Sequence, residues 1–169
     1  MFPKACLIMG LLTKSGGPST SLQEILEKEF GPFRILGESF LFNYTNYYEK
    51  EFGKKLWRTF LLFENLIDPS SLASIKIKTN SIEQENLEEG NRTFNLDPGI
   101  LTSANIILAT TKNRSHRIPL QQGIYGELTL MYQGKKYNDF QWTYPDYKED
   151  KVKHLFEEVR KEFLKQLSF

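Results

Sequence analysis

One cysteine, two histidines and no long apolar run are what this sequence offers, and each shortage removes a class of function. Cys6 alone excludes an internal disulfide and any multi-cysteine zinc or iron–sulfur site. His116 and His154 are too few for a His-dominated metal centre, so neither a metal nor a cofactor is expected. No stretch approaches the roughly 18 apolar residues of a membrane span. The apolar run Ala5–Leu12 is short, has only Lys4 ahead of it and lacks a small-residue cleavage pattern, so it reads as a buried strand and not a signal peptide. Excess charge is missing too: 22 basic residues stand against 21 acidic ones, for a formal charge of +1. That balance argues against nucleic acid as a partner, because phosphate binding draws on a basic excess. A soluble cytoplasmic protein without a membrane partner is the expectation.

What is present suits one α+β domain covering 1–169, since 40% hydrophobic residues can build a core at this length. After the strand at 4–12, Thr13–Thr20 is loop chemistry. Ser21 with Glu24 three positions on forms a capping box for a helix whose apolar face is Leu22, Ile25, Leu26 and Phe30, stopped by Gly31-Pro32. Phe33–Phe42 and Lys55–Phe63 read as strands, joined by a Tyr- and Asn-rich connection. Asp68-Pro69 caps a second helix lined by Leu72, Ile75 and Ile82, with the acidic run Glu83–Glu89 in solvent. Arg92–Leu96 is a short strand. The order βαββαβ over about 4–97 is the split βαβ, ferredoxin-like arrangement. Beyond it, Asp97-Pro98 repeats the cap-and-proline start, and Leu101, Ala104, Leu108 and Thr111 fit a helix, with a strand through Ile106-Ile107-Leu108 as the competing reading. Arg114–Leu120 and Gly123–Tyr132 form a hairpin, Gln133-Gly134 turns into Lys136–Trp142, and Lys148–Leu167 is an amphipathic helix.

Most of the motifs have a structural explanation beside a chemical one. Lys14-Ser15 follows a strand, but its glycines come after the pair, so successive amides cannot wrap phosphates as in a Walker loop. Arg58-Thr-Phe60-Leu-Leu-Phe63 has aromatics without the glycines of an RNA-recognition strand. Asp68 and Asp97 are accounted for as helix caps. The one dense cationic group is Lys112, Arg114, His116 and Arg117. On a strand, Arg114 and His116 would share a face, which Ser115 and Arg117 would not. Alternation puts Tyr125, Glu127, Thr129 and Met131 on one side and Leu128, Leu130 and Tyr132 on the other, the leucine side being core. Glu127 then pairs with the cations across the hairpin or acts as a base. Trp142–Tyr147, WTYPDY, is a rigid aromatic segment fit to wall a pocket, and Tyr44, Tyr47, Tyr48 and Glu49 form a second aromatic cluster.

The segments FNYTNYYE, FENLIDP, IKIKTN, NLDPG, TTK followed by HRI, GIYGE and WTYPDY, in that order, give the chain a resemblance to a bacterial and archaeal family of single-domain proteins of unknown function. Some members carry a GTP-binding label, which is all that the resemblance implies about activity; the Walker loop and the Asn-Lys-x-Asp base-recognition motif are both missing here. The residues themselves suggest a small anionic or nucleotide-like ligand bound by Lys112, Arg114, His116 and Arg117 between Tyr125, Trp142 and Tyr144. Two alternatives stand beside it: an enzyme with Glu127 as base and His116 as acid, and an interaction or oligomerisation module using the aromatic loops.

Overall fold

A computed structural model describes residues 1–168. The apolar run becomes β1 (Ala5–Thr13), with all nine residues buried. A strand with no solvent face belongs in the middle of a sheet covered on both sides. It lies between β3 (Trp57–Ile67) and β6 (Asn95–Leu101), antiparallel to both. Outside β3 is β2 (Phe33–Leu41), also antiparallel. Beyond β6 come β7 (Asn105–Thr110), β9 (Tyr125–Gln133) and β10 (Lys136–Asp139), while the short β8 (Arg117–Pro119) pairs with β9. The chain is therefore α+β with an antiparallel sheet. Leu87–Glu88 and Asn91–Arg92, β4 and β5, form a separate two-stranded ribbon.

Helices cover both faces. On one side α1 (Thr20–Phe30) and α3 (Leu72–Glu85) send Leu22, Leu26, Ile75 and Ile82 onto Leu7, Met9, Leu11 and Leu96. On the other, α5 (Asp150–Leu167) lays Val152, Phe156, Val159 and Phe163 over Ile8, Phe60, Leu108 and Leu130. Each such side chain contributes roughly 1.5–3 kcal/mol by leaving water. Two short helices, α2 (Glu49–Phe52) and α4 (Pro145–Lys148), lie in the connections from β2 to β3 and from β10 to α5. The cap of α1 is not the expected Ser21, which lies inside the helix, but Ser19, which accepts from the Leu22 amide; Asp68 caps the 3₁₀ turn Pro69–Ser71 by accepting from the amide of Ser70.

Four further expectations are corrected. Residues 98–111 are not a helix but the β6–β7 hairpin, turned where Thr102 Oγ1 accepts from the amides of Ala104 and Asn105. Helical spacing of Leu101, Ala104 and Leu108 was outweighed by the β-branched run and this local turn. Pro98 fits inside β6 because its nitrogen points away from β1. Two residues earlier, the outward Leu96 amide and carbonyl have no strand partner and are taken by Glu83 and Lys76 of α3. That contact is the second correction: Glu83 is 5% exposed and part of the core.

Third, Lys112–His116 is a turn, closed by the Arg117 amide on the Arg114 carbonyl, and only Arg117–Pro119 is strand. Arg114 and His116 therefore share no strand face. Fourth, β9 carries a bulge: Ile107 opposes Leu128 and Ile106 opposes Leu130, leaving Thr129 as the extra residue. The bulge swings Leu130 onto the face of Glu127, so Glu127, Thr129 and Leu130 are buried together while Leu128 is half-buried. The expected leucine face does not exist.

Candidate functional site

On the face of the sheet that α5 covers, cross-strand neighbours put charge where core would be expected. Leu12 pairs with Arg58 on β3 and with Asn95 on β6, and Gly10 pairs with Phe60 and Asp97. The Arg58 side chain, 6% exposed, donates from Nε to Asp146 at 2.9 Å and from Nη1 to Asp97 at 3.1 Å. Asn95 adds a 2.8 Å bond to the same Asp97 oxygen. The guanidinium lies 5.1 Å from the ring centre of Phe42 and 5.9 Å from that of Phe60. Burial opposes its charge, but the carboxylates of Asp146 and Asp97 outweigh burial and hold Arg58 more firmly protonated than usual. Burial raises the Asp146 carboxyl, and the Arg58 charge only partly offsets it. Space for this guanidinium comes from Gly10, where a side chain would collide with it.

Beside it, Arg92 grips Glu51 with two bonds of 2.7 and 2.9 Å and reaches Asn95 at 2.7 Å and Glu83 at 3.4 Å. Glu51 on α2 is thereby held below the usual carboxylate range, chiefly through the Arg92 hydrogen bonds. The connection 42–52 is thus tied to β5 and β6.

Across the sheet, Glu127 is 1% exposed and accepts at Oε1 from Arg117 Nε at 3.2 Å, with His116 Nε2 2.6 Å away. Its Oε2 is buried without a partner among the described residues. His116 stacks on Trp142 at 5.1 Å, and Trp142 on Phe140 at 4.8 Å. The bulge positions this stack: the Leu128 carbonyl accepts from Trp142 Nε1 at 2.8 Å and the Thr129 carbonyl from Thr143 Oγ1 at 2.7 Å. A segment fixed in this way delivers Asp146 to Arg58, four residues beyond Trp142.

The two aromatic loops meet over this floor. Tyr44 donates to Glu149 at 2.9 Å, Arg117 Nη2 to Tyr144 Oη at 2.9 Å, and Lys112 Nζ to Tyr47 Oη at 3.0 Å. Lys112 also lies 4.4 Å above the Tyr47 ring and draws its phenol below the ordinary range, by hydrogen bond first and by charge second. Tyr48 is raised by burial first and then by Asp97. Although 40% of Tyr144 is exposed, its phenol is pushed up to about 12 by burial first and then by Glu127, so the surroundings of its oxygen govern it.

Of the expected ligand residues, Lys112, His116, Arg117, Trp142 and Tyr144 come together. Arg114 stays apart, exposed, with Nη1 on the Asn113 carbonyl. Tyr125 is half-buried at the start of β9, opposite Thr110 and Pro119. Two surface recesses of about 290 and 260 Å³ lie elsewhere, one beside β10 and α5 and one around Cys6 and Arg34. Neither includes a residue of the charged cluster, whose chemistry outweighs their volume as an indication of function.

Arg58, Asp97 and Asp146 are the centre that the sequence did not reveal. Asp97 was hidden by its capping pattern and Asp146 by the aromatics around it. Arg58 did leave a signal, as a charge within an otherwise apolar strand.

The segments that carry the resemblance thus supply most of one site: FNYTNYYE its tyrosine wall, NLDPG Asn95 and Asp97, TTK and HRI its cations, GIYGE Glu127, WTYPDY Asp146. Neither the curated proteins nor the solved structures contain a match to this chain. A family model does match it, over residues 3–163, and so the chain belongs to the family described as Domain of unknown function (DUF4416).

Proposed function

We propose that the protein binds a small ligand through an anionic group, held by Lys112 at the rim of the charged cluster, with Tyr47, Tyr144 and Trp142 as walls. One observation carries this reading: Lys112 is fixed by a tyrosine and not by a carboxylate, so its charge remains available. His116 and Arg117 contribute differently from what their sequence suggests. Both are engaged by Glu127, and the remaining Arg117 nitrogens go to the Lys112 carbonyl and Tyr144. They support the walls, and the anion falls to Lys112. Buried ion pairs such as Arg58–Asp146 cost several kcal/mol of desolvation per ion, so this part of the sheet gives up stability that an apolar core would keep.

Thermal shift with phosphate, phosphosugars, nucleotides and dicarboxylates tests the reading. At least one anion should raise Tm, and Lys112→Ala should remove the shift without lowering the Tm of the free protein. An anion-induced shift that Lys112→Ala retains would overturn it.

A second reading, proton transfer by His116, is favoured by the 2.6 Å contact with Glu127. The buried carboxylate fixes Nε2 and the Trp142 stack fixes the ring plane, leaving Nδ1 for a substrate. Hydrolysis of p-nitrophenyl acetate or p-nitrophenyl phosphate that disappears in His116→Ala supports it; equal rates in both proteins sink it.

We also propose a ferredoxin-like core within a single domain. The ferredoxin-like assignment of about 4–97 is supported by the strand order β6-β1-β3-β2 with every neighbour antiparallel, and by α1 and α3 on one face. That one sheet takes strands from Ala5 to Asp139 supports reading the chain as a single domain.

A further inference from the structure

Around Arg58 the carboxylates outnumber the bonded cations, unlike those around Glu127. Glu127 faces Arg117 and His116, and Glu51 and Glu83 face Arg92, with Lys76 acting on Glu83 as well. Arg58 faces two carboxylates, Asp97 and Asp146, and no second cation is bonded to either. Asp146 is 1% exposed and closed off, whereas the Asp97 side chain is 29% exposed. Asp97 Oδ2 already takes Arg58 and Asn95, and Oδ1 accepts nothing among the described residues.

The guanidinium that binds Asp97 lies 5.1 Å from the centre of the Phe42 ring, which belongs to an aromatic cluster. Tyr44 and Tyr48 pack edge-on against Phe42 at 5.2 and 5.9 Å, and Tyr47 against Tyr48 at 5.0 Å. The Asp97 charge acts on the phenols of both Tyr48 and Tyr144. An independent sign of incompleteness is Tyr147, 2% exposed, whose hydroxyl has no partner among the described residues and lies in the field of Asp146, Arg58 and Asp97. No group of three or more His, Cys, Asp or Glu among the described residues is arranged to hold a metal ion. A partly exposed carboxylate near aromatic rings suits an ammonium group, through its charge and the negative faces of the rings.

We infer that the ligand is a zwitterion, its ammonium on Asp97 between Tyr48 and Tyr144 and its anionic group on Lys112. This rests on the anion reading proposed above and adds to it a second recognised group. Tyr47 connects the two ends, touching Lys112 on one side and Tyr48 on the other. The class of compound is an amino acid or an aminoalkyl phosphate.

Isothermal titration calorimetry of the whole protein against three probe sets tests the inference. The zwitterions are the twenty amino acids and phosphoethanolamine, the plain anions phosphate and succinate, and the plain amines ethanolamine and spermidine. At least one zwitterion should bind tenfold or more tighter than any plain anion or amine. Asp97→Asn, which keeps shape and hydrogen bonding, should remove that advantage. Tyr48→Leu should reduce it severalfold, and is the second variant should Asp97→Asn fold poorly. Plain anions that bind as tightly as every zwitterion, with Asp97→Asn unchanged, would overturn the ammonium site while leaving the anion reading intact. Binding by no probe of the three sets would overturn both.

Discussion

A Cβ placed on Gly10 would lie 2.8 Å from Nη1 of Arg58, closer than side chains pack. A flexible arginine at a surface would move aside. Arg58 is held between Asp97 and Asp146 and covered by Phe42 and Phe60, so it cannot move without breaking an ion pair. Gly10→Ala should therefore cost about 2–4 kcal/mol in urea unfolding, the scale of a disturbed buried pair. A loss under about 0.5 kcal/mol would mean that the guanidinium has room to spare.

The Arg58–Asp146 pair invites the comparison of single and paired replacement. Asp146→Asn leaves Arg58 with Asp97 alone, and Arg58→Met leaves two carboxylates without their cation. The second should be the worse, costing about 3–5 kcal/mol, because uncompensated buried charge dominates. Combining Arg58→Met with Asp146→Leu and Asp97→Asn should recover much of that loss. Denaturant midpoints at constant m-value would show it; a triple variant no more stable than Arg58→Met would contradict the charge argument.

Strand β1, the start at Asp68 and the C-terminal helix are legible in the sequence because their signals are local: an apolar run, an Asp-Pro cap and the 3.6-residue period of α5. Residues 98–111 are ambiguous in the sequence, since Asp-Pro serves equally as a helix start and, here, as an unpaired outer edge of β6. The β9 bulge has no sequence mark at all; it depends on how β7 and β9 register, and it decides which way Glu127 and Leu130 face. The site followed the same division. His116, Arg117 and Glu127 are close in sequence and were found together, whereas Arg58 to Asp146 spans 88 positions and only the fold joins them.

Acid should loosen the connection 42–52 first. Glu51 has its carboxyl lowered by Arg92, so its contribution is fully present above its unfolded value of about 4.3 and is lost as pH falls through the lower folded value. Glu51→Gln should reduce Tm by about 2–4 °C at pH 7, equivalent to about 1 kcal/mol for a two-bond pair that is partly exposed. The difference between the two proteins should shrink below about pH 4 and close once Glu51 is protonated in the native state. A gap that persists unchanged to pH 2 would assign the effect to lost packing.

Leu96 tests how far a helix can stand in for a strand. Its amide donates to Glu83 Oε2 at 2.7 Å and its carbonyl accepts from Lys76 Nζ at 3.2 Å, both inside the core, where β6 has run past the end of its pairing with β7. Burial raises the Glu83 carboxyl, against the lowering by the Leu96 amide and the Lys76 charge, so Glu83 holds its place through these partners. Glu83→Ala should cost about 2–4 kcal/mol, combining a buried unpaired amide with the lost contact to Arg92. Glu83→Gln keeps an acceptor for the amide and should cost less than half as much. Hydrogen exchange gives the specific readout: the Leu96 amide should lose protection in Glu83→Ala and keep it in Glu83→Gln, while the β1–β3 amides stay protected in both. Equal protection of Leu96 in the two variants would mean that water or another group replaces the glutamate.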